Sequence, residues 1–133
     1  MSGSQEPRWL LMQALVALHE RSLALHGGPS GVRDPGLLAS ALERPKNRFH
    51  YENVVDLVEL AATYAAAVSG NHPFVDGNKR AAFHAMALFL RVNGLRLVAD
   101  QADAARTIFR LAAGEIGIPE LTDWLRPRVI DAP

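Results

Sequence analysis

Apolar residues recur at three- and four-residue spacing along most of the chain, and this pattern predicts a series of helices. We expect a first helix over about residues 7–26, a largely buried helix over about 53–69 and a central helix over about 77–93, which Asn93-Gly94 ends. Between the first two, Asp34-Pro35-Gly36 predicts an N-cap with proline in the first turn, opening a short helix that ends before Pro45.

The other segments are shorter. Residues 45–52 are polar and aromatic without a clean period, which predicts a loop or a small hairpin. Leu95 to Ala99 is a brief extended stretch, after which Asp100 and Asp103 cap a helix that runs to Gly114. A last short helix is expected from near Pro119 to Pro127. Because strand signals are nearly absent, the pattern as a whole predicts an all-α bundle.

Length and composition predict one domain over residues 1–133, with flexible ends at 1–6 and 128–133. The hydrophobic content of 49% is enough for a substantial core. Lys and Arg number 14, as do Asp and Glu, so the net charge predicts no direct binding of nucleic acid or of an anionic membrane. The chain has no cysteine and no apolar run long enough to span a bilayer, which makes the cytoplasm the expected location.

Residues able to do chemistry gather between Gly70 and Arg80, with an apolar helical pattern on either side. His72 can exchange a proton near neutral pH, and Asp76 can hold a hard cation. Gly77 to Arg80 add backbone N–H groups and two cations at an expected helix start. Together they predict a site for phosphate.

Each of these residues also has a simpler interpretation. Asp76 taken alone could be only a helix N-cap, His72 a structural or exposed histidine, and Lys79 and Arg80 part of a solvated face. Their occurrence in one loop favours function, because a structural loop needs no acid, base, amide and two cations together. The other histidines share no ligand spacing, which argues against zinc, and Gly27-Gly28 lacks the Lys-Ser/Thr of a P-loop.

Residues 72–80, HPFVDGNKR, resemble the motif of the Fic/Doc superfamily, and the match is complete for the death-on-curing (Doc) branch. Similarity extends over about residues 10–126, at Leu18-His19-Glu20, Gly27-Gly28 with Gly31, Asp34-Pro35-Gly36, Ala62-Thr63-Tyr64 and Leu88 to Gly94. The resemblance implies a compact Fic/Doc-type helical bundle in which the motif loop leads into the central helix.

The resemblance also implies transfer of a phosphorus group from a nucleotide to a protein hydroxyl. Adenylylating Fic enzymes have Gly after the motif Asn and a second Arg further on, where this chain has Lys79 and Phe83. These departures favour the Doc reaction, a Ser/Thr kinase that transfers the γ-phosphate of ATP. Two alternatives stay open: a Fic-type adenylyltransferase, which Pro73 and Gly77 would suit, and an inactive binding module with the same fold.

Site roles follow from the resemblance, residue by residue. His72 is expected to be the general base, Asp76 to bind Mg²⁺, and Phe74 to anchor the motif in the core. The nucleotide phosphates would be held by Gly77, Asn78, Lys79 and Arg80. Arg48 and Tyr51 fall in the segment expected to form a flap where the target docks.

Partners are likewise implied. The family's target is a translation protein, elongation factor Tu, modified at a threonine, so a toxin that inhibits translation is expected. Many Fic proteins carry an inhibitory sequence pattern in which Gly or Asn follows a Glu. In this chain only Ser2 to Glu6 approaches that pattern, and Pro7 follows Glu6 instead of Gly or Asn. We therefore expect an external, Phd-like antitoxin whose disordered segment folds as a helix into a groove near the motif helix.

Overall fold

The computed structural model describes residues 5–133, and it is built from six α-helices and one small sheet in that range. In chain order these are α1 (Met12–His26), α2 (Pro35–Glu52), α3 (Leu57–Asn71), α4 (Asn78–Val92), β1 (Leu95–Leu97), α5 (Gln101–Ala112), α6 (Ile118–Leu125), a 3₁₀ turn (Arg126–Arg128) and β2 (Val129–Asp131). The predicted all-α bundle is confirmed. None of the helices in the described range is long and apolar enough to cross a membrane.

Helix α3 forms the centre of the bundle, and it packs most extensively against α4 and α2. Alanines on the facing surfaces let the axes of α3 and α4 approach closely, and large side chains such as Tyr64 and Phe89 fill the space beside them. The Tyr64 hydroxyl accepts a hydrogen bond from the Leu10 N–H at 3.1 Å, which ties the segment before α1 to the core. Burial raises the pKa of Tyr64 to about 12.

Helix α2 differs from the prediction, because it continues through Pro45 to Glu52 instead of ending before the proline. The predicted loop or hairpin over residues 45–52 is therefore wrong. Proline removes one helical hydrogen bond, but contacts beyond it hold the last turns. Phe49 meets Trp9 edge to face, with ring centroids 5.6 Å apart, and Arg48 bonds to α3. Asn53, in left-handed conformation, then ends α2, so α3 begins at Leu57 with Asp56 as its N-cap.

The two strands lie at the end of the chain. β1 and β2 pair antiparallel, with Arg96 opposite Ile130. The flexible end expected over residues 128–133 is thus wrong for the three residues of β2. Their partner strand lies more than thirty residues earlier, beyond the reach of a local pattern. At the other end, residues 1–4, including Ser2, lie outside the described range, whereas Glu6 accepts a hydrogen bond from the Trp9 indole.

Candidate active site

The motif loop, residues 72–77, connects α3 to α4, and two of its residues, Pro73 and Phe74, are buried. Phe74 is only 1% exposed, whereas His72 and Asp76 are exposed on either side of it. The anchoring role predicted for Phe74 agrees with this burial. Two buried apolar residues therefore fix the loop and leave the acid and the base at the surface.

Asn78 closes the loop with two hydrogen bonds to the backbone of Phe74. Its side-chain oxygen accepts from the Phe74 N–H at 2.9 Å, and its amide nitrogen donates to the Phe74 carbonyl at 3.0 Å. The Asn78 amide was predicted to hold phosphate, but its oxygen and one of its N–H groups are engaged inside the loop. Its geometry is that of a brace for the motif.

His72 stands at the C-terminus of α3 with a left-handed backbone, at φ 48° and ψ 54°. This conformation costs a non-glycine residue free energy and needs support from its surroundings. Arg33 supplies that support, because its guanidinium donates to the His72 carbonyl at 2.8 and 2.6 Å and to the Asn71 carbonyl at 3.2 Å. A cation on the last carbonyls of α3 also complements the helix dipole.

The segment beside the motif loop is residues 27–34, which we call the flanking segment. Val32 and Phe74 form an isolated antiparallel bridge, with hydrogen bonds from the Arg33 N–H to the Pro73 carbonyl at 2.7 Å and from the Val75 N–H to the Gly31 carbonyl at 3.0 Å. In this register the N–H and carbonyl of Val32 point away from the motif loop. The flanking segment thus borders the site with an exposed backbone edge.

Arg48 and Tyr51, predicted to lie in a flap over the site, lie elsewhere. Arg48 donates to Thr63 Oγ1 at 2.8 Å and pairs with Glu59 at 2.7 Å, near the start of α3, while Tyr51 is 81% exposed. Thr63 precedes His72 by nine residues of helix, or about 14 Å along the axis. The structure does not bring these two residues to the site, since α2 continues as a helix where a flap was expected.

Asp76 is not a helix cap. The N-cap of α4 is Gly77, with φ 73° and no side-chain hydrogen bond, so the simpler interpretation of Asp76 is wrong. The carboxylate makes no hydrogen bond within residues 5–133, and it lies against the flanking segment. A Cβ placed on Gly28, whose φ is +117°, would come within 2.6 Å of Asp76 Oδ2. Only glycine leaves room for this approach.

The N-terminus of α4 is open. Without a side-chain cap, its first N–H groups remain available to an anion, and the dipole favours negative charge there. Lys79 and Arg80 are exposed and have no acidic partner in the part of the chain that the structure describes. The Lys79 ammonium lies 5.9 Å from the centre of the Phe109 ring. Two uncompensated cations and free amides form a set that suits phosphate oxygens.

A protein-only metal site is not formed, because residues 5–133 contain no group of three or more His, Cys, Asp or Glu side chains able to share an ion. One free carboxylate beside an anion-binding helix start suits a different arrangement. Mg²⁺ is commonly held by one or two carboxylates together with substrate phosphates and water. Asp76 fits that role in its exposure and in its lack of a competing hydrogen bond.

The sequence comparisons agree with this geometry. The profile of the Fic/DOC family matches residues 9–90, well over half of the chain. The chain belongs to the Fic/DOC family. Among its relatives, "Protein kinase doc" of Escherichia phage P1 is 38% identical over 119 residues, covering 90% of this chain and 94% of the relative. "Toxin Doc" of Mycolicibacterium smegmatis is 41% identical over 75 residues, covering 56% of this chain and 58% of that protein. The resemblance to the Doc branch is thereby confirmed.

Next to the motif of this Fic/DOC protein lies an apolar cleft of about 500 Å³ between α4, α5 and the end of α1. Phe83, Ile108 and Phe109 supply its apolar wall, and Lys79 and Arg80 stand on the motif side. Among residues 5–133, none of those that line the cleft is acidic. Burial lowers the pKa of His84, which also lines the cleft, and neighbouring His19, Arg80 and His26 lower it further.

Three residues that shape the site were not identified from the sequence: Arg33, Gly28 and His19. No sequence signal singles out Arg33, and Gly28 and His19 appear in the sequence analysis only as points of resemblance and in the rejected P-loop and zinc interpretations. Each acts on the motif from the region of α1 and the flanking segment, through backbone or close-packing contacts. For His19 the available signal was a histidine at four-residue spacing from Leu15 and Leu23 on the apolar face of α1.

Proposed function

We propose that this protein is a Doc-type kinase, a toxin that transfers the γ-phosphate of ATP to a hydroxyl of a protein substrate. The observation that carries the proposal is the composition of one braced loop: an exposed histidine and carboxylate beside an open helix start, with two cations that have no acidic partner within residues 5–133. The name of the phage P1 relative, a protein kinase, supports the reaction class. The name of the mycobacterial relative, a toxin, supports the biological role.

His72 is the general base in this mechanism. A ring nitrogen of His72 takes the proton of the target hydroxyl as the hydroxyl oxygen bonds to the γ-phosphorus. The bond between that phosphorus and the bridging oxygen breaks, and ADP leaves. Histidine is a residue type suited to proton transfer at neutral pH, and the Arg33 clamp holds the backbone from which the His72 ring projects.

The remaining motif residues bind and neutralise the phosphates. Lys79, Arg80 and the free N–H groups of α4 contact the phosphate oxygens and stabilise the charge that develops during transfer. Asp76 would hold Mg²⁺, which would supply positive charge that offsets the negative charge of the phosphates. Asn78 contributes by keeping Phe74 and the loop in place.

Two residues favour the kinase over an adenylyltransferase. Lys79 replaces the glycine over which the inner phosphates lie in adenylylating Fic enzymes. Phe83 replaces their second arginine, and its ring lines the apolar cleft, where it offers no charge to an outer phosphate. The nucleotide is therefore better accommodated with its γ-phosphate toward the target.

Labelled ATP tests the reaction. Purified protein is incubated with a bacterial lysate and with either γ-labelled or α-labelled ATP, and His72→Ala serves as the control. Label transferred from the γ position alone supports the kinase. Transfer of the α label would instead establish adenylylation, and no transfer from either would favour an inactive binding module.

The proposed target is a translation factor, with elongation factor Tu first among the candidates because of the family resemblance. Modification of such a factor would inhibit translation and stop growth. Purified elongation factor Tu is the appropriate substrate for a reconstituted assay. A labelled protein of another size in the lysate, with no label on the purified factor, would contradict this choice while leaving the kinase in place.

We further propose that a Phd-like antitoxin occupies the cleft between α4 and α5. The cleft is apolar with a basic margin, which complements an amphipathic helix that carries acidic residues. Phe109, 59% exposed, is an apolar anchor whose replacement leaves the core intact. Phe109→Ala removes this anchor without placing a carboxylate beside Lys79, so the variant should remain toxic but escape neutralisation by a co-expressed antitoxin. Val55→Ala, at an exposed position away from the cleft, should still be neutralised.

A further inference from the structure

His19 lies beneath the motif loop, on the buried face of α1, and its side chain is completely shielded from solvent. Its ring packs on Phe74 with centroids 4.2 Å apart. It also contacts the far side of the loop, because a Cβ placed on Gly77 would come within 2.9 Å of His19 Cε1. The imidazole thus touches the loop on both sides of Asp76.

The ring also bonds to Asp76 directly. His19 Nε2 lies 2.9 Å from the Asp76 carbonyl oxygen. A carbonyl oxygen can only accept, so Nε2 carries the proton and donates. This bond fixes the peptide plane between Asp76 and Gly77, which sets the position of the Asp76 Cα and the direction of the Gly77 N–H. Asp76 is the proposed Mg²⁺ ligand, so this bond acts on the metal-binding part of the site.

An imidazole is a poor choice if its only role is to fill the core. Nδ1 of His19 is buried and has no hydrogen-bond partner within residues 5–133, and burying an unpaired polar atom is unfavourable. An apolar side chain would fill the same space without that cost. The feature that an apolar side chain could not supply is a donor at the position of Nε2, within reach of the Asp76 carbonyl.

We infer that His19 is a positioning residue of the phosphotransfer site, which holds the Asp76 carboxylate in place through the backbone carbonyl of Asp76. It does not touch the substrate, and its effect on transfer passes through Asp76. The inference rests on the proposed function for its catalytic consequence, whereas the loop contact can be measured without any activity.

The test compares two substitutions of His19 whose side-chain amides differ in length. The nitrogen of His19→Gln can lie near the position of Nε2, whereas that of His19→Asn stops near Nδ1. Hydrogen exchange of the Phe74 and Val75 amides should rise at least about tenfold in His19→Asn and much less in His19→Gln. Leu15→Val removes a methylene from the same face of α1 and controls for general destabilisation. In this variant, the ratio of amide exchange in the motif loop to amide exchange in α3 should not change.

Calorimetric titration with ATP supplies the second readout. His19→Asn should lose about tenfold in ATP affinity in Mg²⁺ and little in EDTA, because only the metal-dependent part uses Asp76. Equal loop exchange in the Asn and Gln variants, or equal weakening with and without Mg²⁺, would overturn the positioning role. If the unmodified protein binds no ATP and transfers no label, the proposed function fails, and the exchange comparison still decides whether His19 holds the loop.

Discussion

Replacement of Gly28 by alanine should displace the Asp76 carboxylate without changing any amino acid of the motif. The new Cβ would lie 2.6 Å from Asp76 Oδ2 and 3.3 Å from the nearest Leu23 carbon. Ordinary contact begins near 3.4 Å, so the carboxylate must move by about 0.8 Å or the flanking segment must give way. Misplacement of a reacting group by about 1 Å can reduce a rate about 100-fold.

Gly27→Ala is a matched control for this change. Gly27 also has a positive φ, +86°, but open space surrounds its missing Cβ. Both substitutions should therefore cost about 1–3 kcal/mol of backbone strain, and only Gly28→Ala should disturb Asp76. We expect label transfer from γ-labelled ATP to fall about 10- to 100-fold further in Gly28→Ala than in Gly27→Ala.

Urea denaturation checks the origin of the effect. In an Asp76→Ala background the collision partner is gone, so the stability cost of Gly28→Ala should approach that of Gly27→Ala. The coupling between positions 28 and 76 should amount to about 0.5–3 kcal/mol. Equal transfer rates for the two alanine variants, corrected for the folded fraction, would refute the argument that Gly28 keeps space for the carboxylate.

Three further outcomes are expected. His72→Ala should lower transfer about 10²–10⁴-fold with the fold intact, and His72→Asn, which tolerates the left-handed backbone, should match it; retained transfer in either would exclude His72 as the base. Asp76→Asn should weaken ATP binding in Mg²⁺ without destabilising α4, since Gly77 is the N-cap; unchanged Mg²⁺-dependent affinity would speak against a metal ligand. The lowered pKa of His84 makes the unfolded chain bind more protons, so this residue's contribution to stability is complete above the usual pKa of 6.5 and is lost as pH falls. Urea midpoints at pH 7.5 and 5.5 should therefore differ less in His84→Asn than in the unmodified protein.

The helices could be predicted wherever the deciding interactions are local. Asp34 and Asp100 cap their helices with side-chain bonds three residues ahead, and the apolar face of α3 is continuous in sequence. Proline in α2 shows the limit of this reasoning. A proline inside a helix costs about 3 kcal/mol by itself, which argues for a break at Pro45. Phe49 packs on Trp9, which lies forty residues earlier in the chain. A prediction made from neighbouring residues cannot include this contact, so it cannot foresee that the helix continues.

The residues of the site divide in the same way. His72, Asp76, Lys79 and Arg80 are recognisable because the chemistry requires a base, a carboxylate and cations, and because they lie within one stretch of nine residues. The supporting contacts span long separations: His19 reaches Asp76 across 57 positions and Arg33 reaches His72 across 39. No spacing rule connects such pairs.

The supporting residues share a physical reason for being hard to identify. Arg33 and His19 bond to carbonyl oxygens of the motif, and Gly28 leaves space for the Asp76 carboxylate. Every residue has a backbone carbonyl, so the residue types of the motif do not indicate which side chain bonds to a given carbonyl. The motif residues can be recognised by the residue types that the reaction requires, whereas the supporting residues can be recognised only by their positions in the folded structure. Substitutions around α1 and the flanking segment should therefore alter the position of the motif without altering its composition, and a motif search would still identify such variants as intact.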